Sequence, residues 1–306
     1  MAGKVVHLAE LTTLEIDALD REHTVCAVAL SPLEVHGPHL PLGTDVFLAE
    51  EVRDRAVKKI EAAHPQYDYL YLPSYYLGSD TIPGSVAFDS RAVNLTLLGL
   101  GRFLASRGFH YLLVFDNHGG PRHQIAIAKA ANRLYRKDSF QLIAPFLVFY
   151  RRMVENDPAL LERIQAATGA CGDVDDCHAG LNETSLMLAS LAEKVRPGWQ
   201  SLERTRIRKG RWPGRLTGAL ARLVEACGAQ ETARDLRYVG TMLSWTTEKG
   251  MPTYIGEPRA ASPEAGDRML DAFADQALDC FEAGLAGAPP PAHPLGWSLR
   301  LLELSR

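Results

Sequence analysis

The sequence predicts an α/β fold built on a central, mostly parallel sheet. Three observations carry that expectation. Short apolar runs rich in β-branched residues recur at residues 24–30, 69–72 and 111–115, with the make-up of strands buried on both faces. Segments of helical periodicity stand between them, at 44–60, 92–107 and 122–137. Strand and helix alternating at this spacing give βαβ units with right-handed crossovers.

Each element has its local reason. Thr44 or Asp45 opens the first helix, behind a Gly/Pro-rich stretch. Residues 73–90 are rich in Ser, Gly, Asp and Pro and read as a loop. Leu95, Leu98, Phe103 and Leu104 mark the next helix, and Gly108 follows it in the position of a helix stop. Residues 141–148 read as strand-like, and 158–168 and 183–193 as helical. The pattern breaks at 196–237, read as an insertion carrying a basic run, Arg204, Arg206, Arg208, Lys209, Arg211 and Arg215. Residues 263–285 form a long amphipathic helix. A proline-stiffened connector at 288–294 leads to Trp297, Leu301 and Leu304 at helical spacing. The organisation expected is one domain over 1–286 and a C-terminal arm over 287–306. The arm's apolar face could dock on a neighbouring subunit or cover its own chain.

Composition excludes several classes. Of 306 residues, 46% are hydrophobic and 23% charged, the ordinary globular balance. The net charge of −4 supplies no global basic field, so neither nucleic acid nor an anionic membrane is expected as a partner. Five cysteines, none in a Cys-x-x-Cys pair, argue against a disulfide framework. No signal core or membrane-length apolar run is seen, and the expectation is a cytoplasmic protein.

The chemistry is concentrated in three polar segments. Ser31-Pro-Leu-Glu-Val-His-Gly-Pro-His-Leu-Pro-Leu-Gly-Thr-Asp45 follows a buried strand directly. Glu34 and His36, two apart on extended backbone, point the same way, and Asp45 returns from the loop. That is a mixed N/O donor set suited to zinc, manganese or iron(II). His118, in Asn117-His-Gly-Gly120, follows another buried strand. Ligands of parallel sheets sit beyond the carboxyl ends of the strands, so both segments belong on one edge. The third segment is Cys177-His-Ala-Gly-Leu-Asn-Glu-Thr-Ser185. Asn182 could cap a helix there, which places Glu183 in its first turn; Glu183 is then either a helix-start acid or a site residue. His39 reads as a supporting histidine rather than a ligand. Asp173, Asp175 and Asp176 read as a solvated loop that could border a pocket mouth.

These residues resemble the creatininase (creatinine amidohydrolase) family. The matching segments are Glu34-Val-His-Gly-Pro-His-Leu-Pro-Leu-Gly-Thr-Asp45, His118-Gly-Gly120, His178-Ala-Gly180 with Glu183-Thr-Ser185, and Gly256-Glu-Pro258 with Ala261-Ser262. The resemblance implies a three-layer α/β/α fold, two divalent ions (zinc, manganese or both, with iron in some members), and often a homohexamer. It implies metal ligands at Glu34, His36, Asp45 and His118, with Asp45 bridging. The position two after the strand-end histidine, acidic in creatininase, is Gly120 here, so Glu183 takes the fifth place and creatinine is not the expected substrate. His178 matches the proton donor and acceptor. The implied activity is hydrolysis of a C–N bond in a cyclic amide, small amide or formamide by metal-activated water, with Ser79, Asp80 and Asp175 as candidate contacts to a small-molecule substrate. Two other readings stand beside it: C–C hydrolysis of a cyclic polyol diketone, and a non-catalytic binding protein with a vestigial site.

Overall fold

A computed structural model describes residues 3–166, 176–208 and 212–300. In chain order the elements are β1 (Val5–His7), α1 (Thr13–Asp17), β2 (Thr24–Ser31), α2 (Thr44–Ala63), β3 (Asp68–Tyr71), β4 (Tyr75–Tyr76), α3 (Ser90–Ser106), β5 (Tyr111–Phe115), α4 (Pro121–Asp138), β6 (Gln141–Ile143), α5 (Pro145–Val154), α6 (Pro158–Ile164), α7 (Leu181–Ser190), α8 (Trp212–Ala226), α9 (Gln230–Thr246) and α10 (Pro263–Leu285). The sheet order is β1-β3-β2-β5-β6, with β4 added on β2 beyond β3. Every pairing among the described strands is parallel.

β2 is the spine. Ala27 pairs with Tyr71 on one side and with Leu113 on the other. All eight of its residues are buried, and the alternation of side chains sorts them between two layers. Val25, Ala27 and Ala29 join a core built with α2, α5, α6 and α10. Cys26, Val28 and Leu30 join a second core built with α3 and α4. Helices thus cover both faces, giving three layers, α/β/α.

Two sequence expectations are corrected. Residues 141–148 are not one strand: β6 ends at Ile143, and Pro145 opens α5. A proline at the first helical position loses no needed N–H, and it overrides the β-prone Phe146-Leu-Val-Phe149 run. The stretch 73–90 is not all loop, because Tyr75 and Tyr76 pair with the end of β2.

The interruption read at 196–237 contains α8 and α9, which pack against each other, and its helical part runs on to Thr246. α8 leaves Trp212, Leu216, Leu220 and Leu223 exposed at helical spacing. Lys209 and Arg211 of the basic run lie outside the described residues. The C-terminal arm lies on its own chain: Ala292 and Trp297 pack on the α3/α4 core, and Ser298 donates its N–H and hydroxyl to Asp235 of α9. Leu301 and Leu304 lie outside the described residues. No described helix is long and apolar enough to cross a membrane.

Candidate metal centre

The site forms where β2, β5 and the start of α7 converge. Asp45 lies in the first turn of α2 and Glu183 in the first turn of α7. Unpaired N–H groups and the helix dipole favour a carboxylate at both places. Glu34 and His36 follow β2, and His118 follows β5.

Asp45 faces two ways. Its Oδ1 is 3.3 Å from His36 Nε2, which is also 3.6 Å from Glu183 Oε2. Its Oδ2 is 3.7 Å from His118 Nδ1, which is 2.9 Å from Glu34 Oε2. His36, Asp45 and Glu183 form one compact group of potential ligands, and Glu34, Asp45 and His118 form another, each with ligand atoms within 4.8 Å of one another. Glu34, His36 and His178 form a third.

Surrounding groups fix which atoms face inward. His36 donates Nδ1–H to the Glu34 carbonyl at 2.9 Å, leaving Nε2 to the site. His118 donates Nε2–H to the Ser79 carbonyl at 2.9 Å, leaving Nδ1. Glu34 Oε1 accepts from the Ile82 N–H at 2.7 Å. Asn117 Nδ2 reaches both Glu183 Oε1, at 3.3 Å, and Asp45 Oδ1, at 3.5 Å. Ligating histidines are commonly held in this way by a carbonyl on the far nitrogen.

The donor set fits divalent cations. His36 Nε2 and Asp45 Oδ2 are buried and make no hydrogen bond, a costly state for polar atoms unless a further partner binds. Three carboxylates share the pocket. Burial pushes Glu34 up, but His118, His178 and His36 outweigh it and hold the carboxyl below the usual carboxylate range. Burial pushes Asp45 up against the pull of His36. Burial would lower His118, yet Glu34 and Asp45 lift it to about 10. Imidazole protons thus sit where the acids demand positive charge, and cations can displace them.

Gly120 explains why the fifth carboxylate does not come from the His118 turn. A Cβ there would lie 2.4 Å from His118 Nε2 and 2.8 Å from Asp80 Cβ. Glu183 reaches the same centre from α7, and its Oε2 also accepts the Ala179 N–H at 2.5 Å.

The remaining predicted residues sit as follows. His178 donates Nε2–H to the Val35 carbonyl at 2.6 Å, so Nδ1 faces the centre, 3.9 Å from Glu34 Oε2. Its ring lies between His36, at 4.3 Å, and Trp245, at 5.2 Å. Ser79 is buried with Oγ making no hydrogen bond. The Asp80 carboxylate is turned to Arg122, accepting its N–H at 2.6 Å and its guanidinium Nε–H at 2.5 Å. Asp175 lies outside the described residues. His39 contacts Thr184 Oγ1 at 2.8 Å and belongs to none of the three ligand groups.

Asp176 corrects the reading of a solvated loop. It is buried and accepts the N–H groups of Leu181 and Asn182, capping α7 in the role expected of Asn182. Tyr150, Tyr238 and Trp245 were not singled out by sequence. Tyr238 donates to the Gly119 carbonyl at 2.7 Å and meets the Tyr150 hydroxyl at 3.1 Å. Only the packing of α9 brings it there, and no local motif signals that. Ser185 of the third matching segment and Ser262 of the fourth join α7 to α10. Ser262 caps α10 through the Ala265 N–H and donates its own N–H to Ser185 Oγ. Gly266 permits the close approach, since a Cβ there would lie 1.9 Å from the Ser185 carbonyl oxygen.

Beside the donors opens a cavity of about 70 Å³. Its lining combines the polar Asn117, His118, His178 and Glu183 with the apolar Phe146, Phe149, Met153, Leu186 and Phe273.

The family model described as "Creatininase: Creatinine amidohydrolase" matches residues 9–281. A creatinine amidohydrolase of Pseudomonas putida is 28% identical over 199 residues, covering 63% of this chain and 75% of that protein. A mycofactocin precursor peptide peptidase of Mycolicibacterium smegmatis is 30% identical over 139 residues, covering 44% of this chain and 56% of the peptidase. A structure titled "Creatininase Mn" shares the fold with a TM-score of 0.61 at 20% identity, covering 94% of this chain and all of that one.

Proposed function

The chain belongs to the creatininase family, and from that premise we propose that it hydrolyses the C–N bond of a small amide at two divalent ions of the zinc or manganese class. The observation that carries this is Asp45, whose two oxygens face separate ligand groups, one with His36 and Glu183, the other with Glu34 and His118. Such ions, when bound, supply the Lewis acidity that lowers the pKa of water and polarises a carbonyl.

The chain's own residues divide the remaining work. Glu34, His36, Asp45, His118 and Glu183 hold the ions. His178 presents Nδ1 with its other nitrogen committed to Val35, and that atom takes the proton from the attacking water and returns it to the leaving nitrogen. The unpartnered Ser79 Oγ supports a substrate contact. Asp80, although its carboxylate is bound by Arg122, and Asp175 stay in the reading as candidate substrate contacts. The closed turn at Gly120 and the aromatic residues lining the cavity favour an amide carrying an apolar group over creatinine. A relative named as a peptide peptidase extends the class to peptide amides. Self-association into a homo-oligomer belongs to the same reading, and the apolar stripe of α8 is the surface it would use.

The test is a substrate panel on the purified, metal-analysed protein: creatinine, cyclic imides, N-formyl amino acids, short peptides and a cyclic polyol ketone. Amide turnover that disappears in His178→Ala is expected. Turnover of the ketone and of no amide would overturn the reading.

A further inference from the structure

A second cavity shares no residue with the metal centre. It is a groove of about 720 Å³ between α3, the outer face of α4 and the C-terminal arm. Six cations border it: Arg102, Lys129, Arg133, Arg136, Lys137 and Arg300. On a chain of net charge −4 this is a local reversal of sign. Asp138 answers part of it, 3.8 Å from Arg102 Nε. The side chains of Arg133, Arg136 and Lys137 make no ion pair or hydrogen bond among the described residues.

Their placement is regular. Positions 129, 133 and 136 follow i, i+4, i+7 spacing and share one helix face, where like charges repel. Arg136 and Lys137 lie in the last turn of α4, where cations complement the helix dipole. That explanation does not reach Arg133, one turn back; Lys129 Nζ lies 3.4 Å from the Arg300 carbonyl, and Arg102 faces Asp138 across the groove. The arm closes the far side with a fixed aromatic plane. The His293 ring stacks on Trp297 at 5.4 Å and 19°, and the Arg300 guanidinium lies 4.6 Å from the Trp297 centroid. Gln141 holds the arm at the Ala288 carbonyl, and Asp235 holds it at Ser298.

We propose that this groove binds a phosphate-bearing small molecule, at a site separate from the hydrolytic centre. Arginine forks match phosphate oxygens in geometry as well as charge, and an anion placed among these cations removes their mutual repulsion. The aromatic plane at the edge suits the base of a nucleotide; a condensed inorganic phosphate would use the cations alone.

Titration calorimetry on the full-length metal-loaded protein, with inorganic pyrophosphate and with ADP, tests the proposal. Saturable binding of at least one is expected, weakened by raising the salt and weakened tenfold or more in Arg133→Ala/Arg136→Ala. That double variant lies outside the metal centre, so it separates this groove from ligand held by the ions, and its metal content and thermal melt should match wild type. If ADP binds more tightly and Trp297→Ala removes the advantage, the ligand is a nucleotide; equal affinities identify an inorganic phosphate. Absence of binding by both probes, unchanged affinity in the double variant, or binding of a single-stranded oligonucleotide alone would each overturn the proposal.

Discussion

Tyr238 of α9 donates its phenolic hydrogen to the main-chain carbonyl of Gly119 at 2.7 Å, one residue beyond His118. A helix from the least regular part of the sequence therefore holds the turn that carries a candidate metal ligand. The Tyr150 hydroxyl, 3.1 Å from that of Tyr238, completes the link to α5. Tyr238→Phe leaves the Gly119 carbonyl without its partner, at a cost of about 1–3 kcal/mol. The expected result is a lower Tm and a kcat/KM reduced about tenfold, with metal content retained. A variant with wild-type kcat/KM would show that the turn is held without it.

His178 is assigned to proton transfer, not to metal binding, although it also stands in a potential ligand group with Glu34 and His36. The two roles separate cleanly. His178→Ala should lower kcat by about 10²–10⁴-fold, the usual range for a lost general acid or base, with both ions kept. Loss of an ion in that variant would make His178 a ligand instead.

His39 offers a pH test beside the metal centre. Burial, and then the neighbouring His36, hold its imidazole down at about 4, below the ordinary 6.5. The folded protein keeps His39 neutral between these values while the unfolded chain takes up a proton. Its contribution to stability is therefore full above pH 6.5 and is lost as pH falls towards 4. His39→Gln, which can still meet Thr184 Oγ1, should flatten the stability profile between pH 6.5 and 4 in urea melts. Equal slopes in both proteins would refute the assignment.

The stripe of Trp212, Leu216, Leu220 and Leu223 on α8 is a contiguous apolar surface of the kind that marks association. The native protein is expected to run well above the 33.6 kDa of one chain. Leu216→Glu/Leu223→Glu should return it towards that mass with its secondary structure intact, as sedimentation and circular dichroism would show. A wild-type protein sedimenting as a single chain would remove the need for such a surface.

How much of this was legible beforehand follows from the range of the interactions. β2, β5 and the helices after them are written in local pattern, because burial on both faces demands continuous apolar runs. Asp45 and Glu183 at helix starts, and Glu34 and His36 on one side of an extended chain, are equally local. Parallel topology then brings His118 to the same edge. α5 was misread because Phe146-Leu-Val-Phe149 looks β-prone, although Pro145 carried the helix-start signal. Asp176 looked solvated because its partners are backbone N–H groups, which leave no trace in sequence. The reach of Tyr238 and Trp245 into the site depends on how α8 and α9 pack, and no short-range rule encodes that.

The central claim is a centre of two ions joined by Asp45, and metal stoichiometry tests it most directly. Metal analysis should find two divalent ions per wild-type chain. His36→Ala and His118→Ala, each removing a ligand from only one of the two groups that share Asp45, should each retain about one. Asp45→Ala, which removes a ligand from both groups, should retain almost none. A single ion per wild-type chain, or two ions kept in Asp45→Ala, would contradict the account.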